Sequence, residues 1–223
     1  MASTQTLLAL KIDFETWATI RGEIAAYHLN RQELDTALSI YLEIDQLRRE
    51  AGAGESSDHT LLMLGVTYRK KKDFARAISY LQQLYERAEK RNNPSALATS
   101  AHHLGWAYLE QHNLLQARRF CGKALLFYEQ IGDTRGISDA YEQLGSIALA
   151  ERKGQEALLY LQRALAMKQE RASQQGAASC FRRIACAHLI LRHPGRALQA
   201  LINSLWLSRR LGMLTWQRLI KIL

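Results

Sequence analysis

The sequence predicts an all-α solenoid of antiparallel helix pairs, and three observations lead to that class. A pair formed by an apolar and a small residue recurs every 40 residues, at Ile24-Ala25, Leu64-Gly65, Leu104-Gly105, Leu144-Gly145 and Ile184-Ala185. An alanine follows 13 residues after the first member of each, at Ala37, Ala77, Ala117, Ala157 and Ala197. Five units thus keep register without insertion. Proline accounts for only 2 of 223 residues, and no stretch alternates apolar and polar residues for the length of a strand.

The elements follow in chain order. Residues 1–13 are a lead-in, with a short helical stretch at Gln5–Leu10 and a frayed Met1–Thr4. Five units come next, at about 14–53, 54–93, 94–133, 134–173 and 174–212. In the second, Leu61, Leu64, Gly65 and Tyr68 fall at i, i+3, i+4 and i+7, one face of a helix. After a break at Lys71–Asp73, the residues Phe74, Ala77, Ile78, Leu81 and Leu84 form the stripe of a second helix. Gly or Ala on the first helix and Ala on the second allow two backbones to approach closely.

Punctuation repeats with the same period. Gly52, Asn92, Gly132, Ala172 and Gly212 stand after the second helices, where a left-handed residue ends a helix. Ser56 or Ser57, Thr134, Ser173 and Thr215 are the expected N-caps, and Pro94 and Pro194 fall at helix starts. Beyond residue 212, Trp216, Leu219, Ile220 and Leu223 make one more i, i+3, i+4, i+7 stripe, the start of a sixth unit. Three readings of it stand open: a helix capping the last pair, the cut end of a longer array, or an assembly edge that forms a homodimer.

Composition narrows the function. With 48% hydrophobic residues the chain can build a core, which excludes collagen-like and disordered classes. The apolar run Leu7-Leu8-Ala9-Leu10 is too short to span a bilayer, which needs about 20 residues, so no membrane association is expected. Cys121, Cys180 and Cys186 have no paired spacing and suit a reducing, cytoplasmic setting. Charge is uneven. Residues 1–111 carry 13 basic and 14 acidic side chains, 112–223 carry 17 and 7, and no acidic residue follows Glu170. The basic half should attract an acidic partner or phosphates.

No phosphate-binding loop, nucleophile elbow or HExxH is present, and Gly52-Ala53-Gly54 reads as a linker. Neither an enzyme, nor a cofactor, nor a metal is expected.

The pattern Leu-Gly-x-x-Tyr at Leu64–Tyr68 and Leu104–Tyr108, followed by Ala77 and Ala117, resembles the tetratricopeptide repeat. The resemblance extends over about residues 14–210. It departs in its period, 40 residues against about 34. It departs also in Leu61, Ala101, Tyr141 and Phe181, which stand at the family's early Trp, and in a missing terminal Pro. The longer period and linkers such as Gly132-Asp133 are similar to repeats of bacterial signal-transduction ATPases, peptide-sensing regulators and kinesin light chains. The resemblance implies a right-handed superhelix whose first helices line a concave groove.

A geometric argument arrives at the same residues. Opposite Leu64 and Tyr68 lie His59, Leu62, Val66 and Arg69, with counterparts Thr99, His102 and Trp106; Asp139, Glu142 and Ser146; and Ser179, Arg182 and Cys186. The closing Leu109, Leu149 and Leu189 read as packing between units. Trp106 is the expected anchor for a bound chain, with burial between helices as the alternative. His102 and His103 read as hydrogen-bonded or solvated rather than metal-bound, and Glu142 is expected to pair with Arg182. These residues predict a non-catalytic scaffold or sensor for a protein or peptide in bacterial signalling. The alternative is nucleic-acid binding through the basic half, which the acidic Asp139 and Glu142 disfavour.

Overall fold

The computed structural model describes residues 13–50 and 56–210. These form ten α-helices and no strand: α1 Phe14–Asn30, α2 Leu34–Glu50, α3 Asp58–Lys70, α4 Phe74–Lys90, α5 Pro94–Glu110, α6 Leu114–Ile131, α7 Thr134–Ala150, α8 Gly154–Glu170, α9 Gln174–Ile190 and α10 Pro194–Arg210. They divide into two compact units between Gln111 and His112. The division falls where the charge balance changes.

Within the first unit, α1 packs on α2, α2 on α3, α3 on α4, and α4 on α5, while α3 also touches α5. Its core joins Ala25, Leu29, Ala37, Tyr41, Leu64, Tyr68 and Ala77. In the second unit the same order runs from α6 to α10, with α7 touching α9. Ala148, Ala157, Leu161, Ile184, Ala185 and Ala197 make its core. The small residues act as expected, but one turn further along. A Cβ on Gly65 would lie 2.6 Å from Leu81 Cγ and 3.4 Å from the Ala77 carbonyl oxygen, and one on Gly145 would lie 2.5 Å from Leu161 Cγ. Each glycine thus admits the leucine four residues after the alanine.

Six helices start on a side-chain cap: Asp13, Ser57, Asp73, Asn93, Asn113 and Asp133 each accept a backbone N–H from the first turn. Asp133 corrects the expectation for α7. Its carboxylate accepts from the N–H groups of Arg135 and Gly136, both at 3.0 Å, and Thr134 is already helical. A carboxylate there also suits the positive end of the helix. Ser173 stands at the N-cap position of α9 without a side-chain cap bond. Pro94 and Pro194 open α5 and α10.

Asn92, Gly132 and Ala172 take the left-handed conformation, with φ of 47°, 70° and 54°. Gly52 and Gly212 lie outside the described residues. A second left-handed series was not legible in the sequence: Gln32, Lys72, His112, Arg152 and Arg192, 40 residues apart, have φ between 58° and 65°. None is a glycine, and each follows the first helix of its repeat. An L-residue there costs about 1 kcal/mol, partly offset by the smaller entropy loss of a non-glycine residue on folding. Lys72→Gly is therefore expected to raise stability by about 0.5 kcal/mol, read as a higher urea midpoint with an unchanged slope.

Candidate functional site

In the second unit, α7, α8 and α9 converge on a buried ionic network. Glu142, 8% exposed, accepts from Ser179 Oγ at 2.7 Å and Arg183 Nη1 at 2.6 Å through Oε1, and pairs with Lys168 Nζ through Oε2. Lys168 also reaches Asp139 Oδ1 at 2.8 Å, and Arg183 Nε donates to Ser146 Oγ at 2.8 Å. Burial opposes the charge on Glu142, yet Arg183 and Lys168 outweigh it and hold the carboxyl below its ordinary range. Burial likewise opposes the charge on Lys168, and Glu142 with Asp139 raises its ammonium above the ordinary value.

The partner expected for Glu142 was Arg182; the structure assigns that role to Arg183. One residue turns a helix by about 100°, which leaves Arg182 exposed while Arg183 faces α7. Cys186 is exposed on the same helix, and burial pushes the Cys180 thiol up to about 12. Much of the predicted stripe in this unit is thus occupied by its own ion pairs.

In the first unit the stripe is open in two places. On α5 the half-buried Trp106 donates its indole N–H to His102 Nε2 at 3.2 Å, and the His102 and His103 rings meet edge to face at 5.4 Å. Arg69 on α3 pairs with Glu110 on α5. Desolvation, then the charges of His102 and Arg69, drive the His103 imidazole down to about 3. In the unfolded chain it protonates near 6.5, so between these values the unfolded state binds more protons. Stability is expected to fall as pH drops from 7 to 5, and His103→Asn should make that fall shallower in urea titrations at the two pH values. The remaining slope belongs to groups such as His188, which is also lowered by desolvation.

The second opening is a cleft of about 370 Å³ walled by Glu15, Ala18, Thr19, Gly22 and Glu23 of α1, floored by Tyr41, Ile44 and Arg48 of α2, and closed by Ser57, His59 and Thr60 at the start of α3. Nothing lies within 4 Å of a Cβ built on Gly22. Burial, then the charge of Glu23, pushes the Tyr41 hydroxyl up to about 12, so it stays a neutral donor. Glu15 is paired with Arg48 at 2.6 Å.

The predicted residues fall into two sets. His59, Leu62, Val66 and Arg69 on α3 neighbour Thr99, His102 and Trp106 on α5; Asp139, Glu142 and Ser146 on α7 neighbour Ser179, Arg182 and Cys186 on α9. His59 is exposed, while Leu62, Val66 and Thr99 are half-buried. Trp216, Leu219, Ile220, Leu223 and the N-cap expected at Thr215 lie outside the described residues. Among the described residues no three His, Cys, Asp or Glu side chains come together as a metal site, and no helix is long and apolar enough to cross a membrane.

Residues 58–91 and 97–131 each match a sequence model described as Tetratricopeptide repeat. Solved structures share the architecture over most of the chain. BtubC (BKLC) from P. vanneervenii is 13% identical with a TM-score of 0.68, covering 89% of this chain and 91% of its own. A P. anserina protein of kinesin light chain type, with nearly identical TPR-like repeats, is 14% identical with a TM-score of 0.69, covering 91% and 100%. The chain carries tetratricopeptide repeats. Its fold is an all-α helical-repeat solenoid. MamA from Desulfovibrio magneticus RS-1 shares that fold at 14% identity and a TM-score of 0.58, covering 86% and 96%. No curated protein sequence matches the chain.

The repeat also explains which cleft residues were missed. The predicted stripe begins at His59, in the second repeat. One 40-residue step back from His59 and Leu62 lands on Thr19 and Gly22, both in the cleft wall. The signal was present, but a glycine contributes no side chain to a stripe.

Proposed function

We propose that this protein is a non-catalytic interaction module that holds a peptide or a partner's helix against its first helices. The observation that carries the reading is the open surface of the first unit. There the cleft beside Gly22 offers hydroxyls and carboxylates over a floor of Tyr41, Ile44 and Arg48, and Trp106 stands two first helices further along. Large aromatic side chains are over-represented among the anchors of such contacts. A scaffold or sensor role in cytoplasmic bacterial signalling fits this surface. An acidic partner would be drawn to residues 112–223, where basic side chains exceed acidic ones by ten. Several of those cations already serve carboxylates: Arg118 holds Glu151 and Glu156, and Lys168 and Arg183 hold Glu142. This favours protein over nucleic acid.

A photo-crosslinking residue at Leu62 would capture the bound chain, and calorimetry with the captured partner then tests the surface. Trp106→Ala is expected to weaken binding by at least about tenfold, and Gly22→Leu, which fills the cleft, should weaken it too. Unchanged affinity in both variants would sink the reading.

A further inference from the structure

The two outermost described helices expose faces that every other repeat buries. On α1, Ile20, Ile24 and Tyr27 are 51%, 39% and 57% exposed. Their counterparts 40, 80, 120 and 160 residues later are all buried; for Ile24 these are Leu64, Leu104, Leu144 and Ile184. On α10, Leu201 is 40% exposed, whereas Tyr41, Leu81, Cys121 and Leu161 at the same position are all at 0 or 1%. Leu205 extends this face at 46% exposed, where Asp45 and Tyr85 in the first two repeats are buried. Trp206 lies off this face, since its counterparts Gln46, Glu86, Leu126 and Ala166 are exposed as well.

The helix kinds on these faces match. Within each unit a second helix packs against the first helix that follows it: α2 on α3, α4 on α5, α6 on α7 and α8 on α9. Helix α10 is a second helix with no described successor, and α1 is a first helix with no described predecessor. Their charges are complementary. Residues 13–50 hold 8 acidic and 4 basic side chains, while residues 171–210 hold 7 basic and none acidic. A second α10 face would meet α10 with like charge. The segment after residue 210 adds Arg218 and Lys221 and no acid, so charge does not select it either. The first hairpin of another copy supplies both an apolar stripe and the opposite sign.

We propose that the chain associates head to tail with a second copy of itself, the exposed face of α10 in one copy stacking on the exposed face of α1 in the next. The contact repeats between chains the stacking already present within them. It is heterologous, so each copy keeps one free edge of each kind and can extend the assembly. Antiparallel stacking brings Arg209 and Arg210, at the end of α10, toward Glu15 near the start of α1. The proposal does not rest on partner binding in the cleft, although Glu15 borders both surfaces.

Sedimentation velocity of the full 223-residue chain tests it with two variants. Ile20→Lys with Ile24→Lys blocks the α1 edge; Leu201→Lys with Leu205→Lys blocks the α10 edge. Both add positive charge, so the blocked edges cannot pair. The wild type should self-associate with concentration, and raising salt from 0.05 to 0.5 M should weaken this by about tenfold. Each variant alone should run as a 25.4 kDa monomer. Mixed in equal amounts, they should form a dimer of twice that mass and nothing larger, because one good edge of each kind remains. Far-ultraviolet circular dichroism checks folding, and the single changes Ile20→Lys and Leu205→Lys, at positions 51% and 46% exposed, repeat the test if a double variant unfolds. A wild type that stays monomeric, as it would with its own termini covering both faces, overturns the proposal. So does an α1-edge variant that still dimerises alone, which would mean an α10-to-α10 contact.

Discussion

Glu142→Gln is expected to destabilise the protein by about 3–5 kcal/mol, the cost of removing one member of a buried ion pair. The amide keeps the shape of the side chain but not its charge. Lys168, 4% exposed, then loses one of its two carboxylates, and Arg183 loses the charge it faces while keeping the hydroxyls of Ser146 and Ser179. Urea unfolding measures the loss directly. In a Lys168→Met background the same substitution should cost less, because the stranded ammonium is gone; equal costs in both backgrounds would mean that the two residues are not coupled. The pH dependence has two edges. The folded Glu142 carboxyl lies below its unfolded value, so its contribution is complete above about pH 4.3 and is lost as pH falls through the folded value. The folded Lys168 ammonium lies above its unfolded value, so its contribution is lost only as pH rises through that folded value. Near neutral pH the network is insensitive to both.

Gly136→Ala should cost about 2 kcal/mol net, although alanine is the better helix former. A Cβ at this position would fall inside the ring of Tyr128, on carbons that cannot swing away as the end of a leucine can. Overpacking of this kind costs up to about 3 kcal/mol, and helix propensity returns about 1. Tyr128 is itself buried at the end of α6, so the ring has nowhere to go. Replacing it first, as Tyr128→Leu, should remove the penalty and leave Gly136→Ala neutral or stabilising. A penalty that survives in that background would place the strain elsewhere in the first turn of α7.

Several features could be read directly because each repeat solves the same packing problem. Leu64, Leu104, Leu144 and Ile184 must all be buried between a helix partner and a neighbouring repeat, so the residue type recurs with the period. The left-handed turns after the second helices were visible at Asn92 and Gly132, where residue type follows backbone conformation. Those at Gln32, Lys72, His112, Arg152 and Arg192 were not, since polar residues accept the strain there and carry no distinguishing mark.

The site was legible only in outline. His59, His102, Trp106 and Glu142 were placed on first helices by periodicity alone, and the structure places them there. Their chemistry was not, because it depends on which side chains meet across helices. A rotation of one residue decided that Arg183 rather than Arg182 holds Glu142. A missing side chain at Gly22 opened a cleft that no stripe of residue types could announce.

By itself, then, the sequence determined the helix count per repeat, the 40-residue register and the change of charge at residue 111, all set by neighbours along the chain. Only the tertiary structure decided which charges are spent inside the protein, where the first-helix surface stays open, and which apolar faces are left without a neighbour. Those outcomes depend on contacts between residues far apart in sequence, such as Glu142 with Lys168 and Arg183, 26 and 41 positions away, whose approach is fixed by helix packing rather than by local preference.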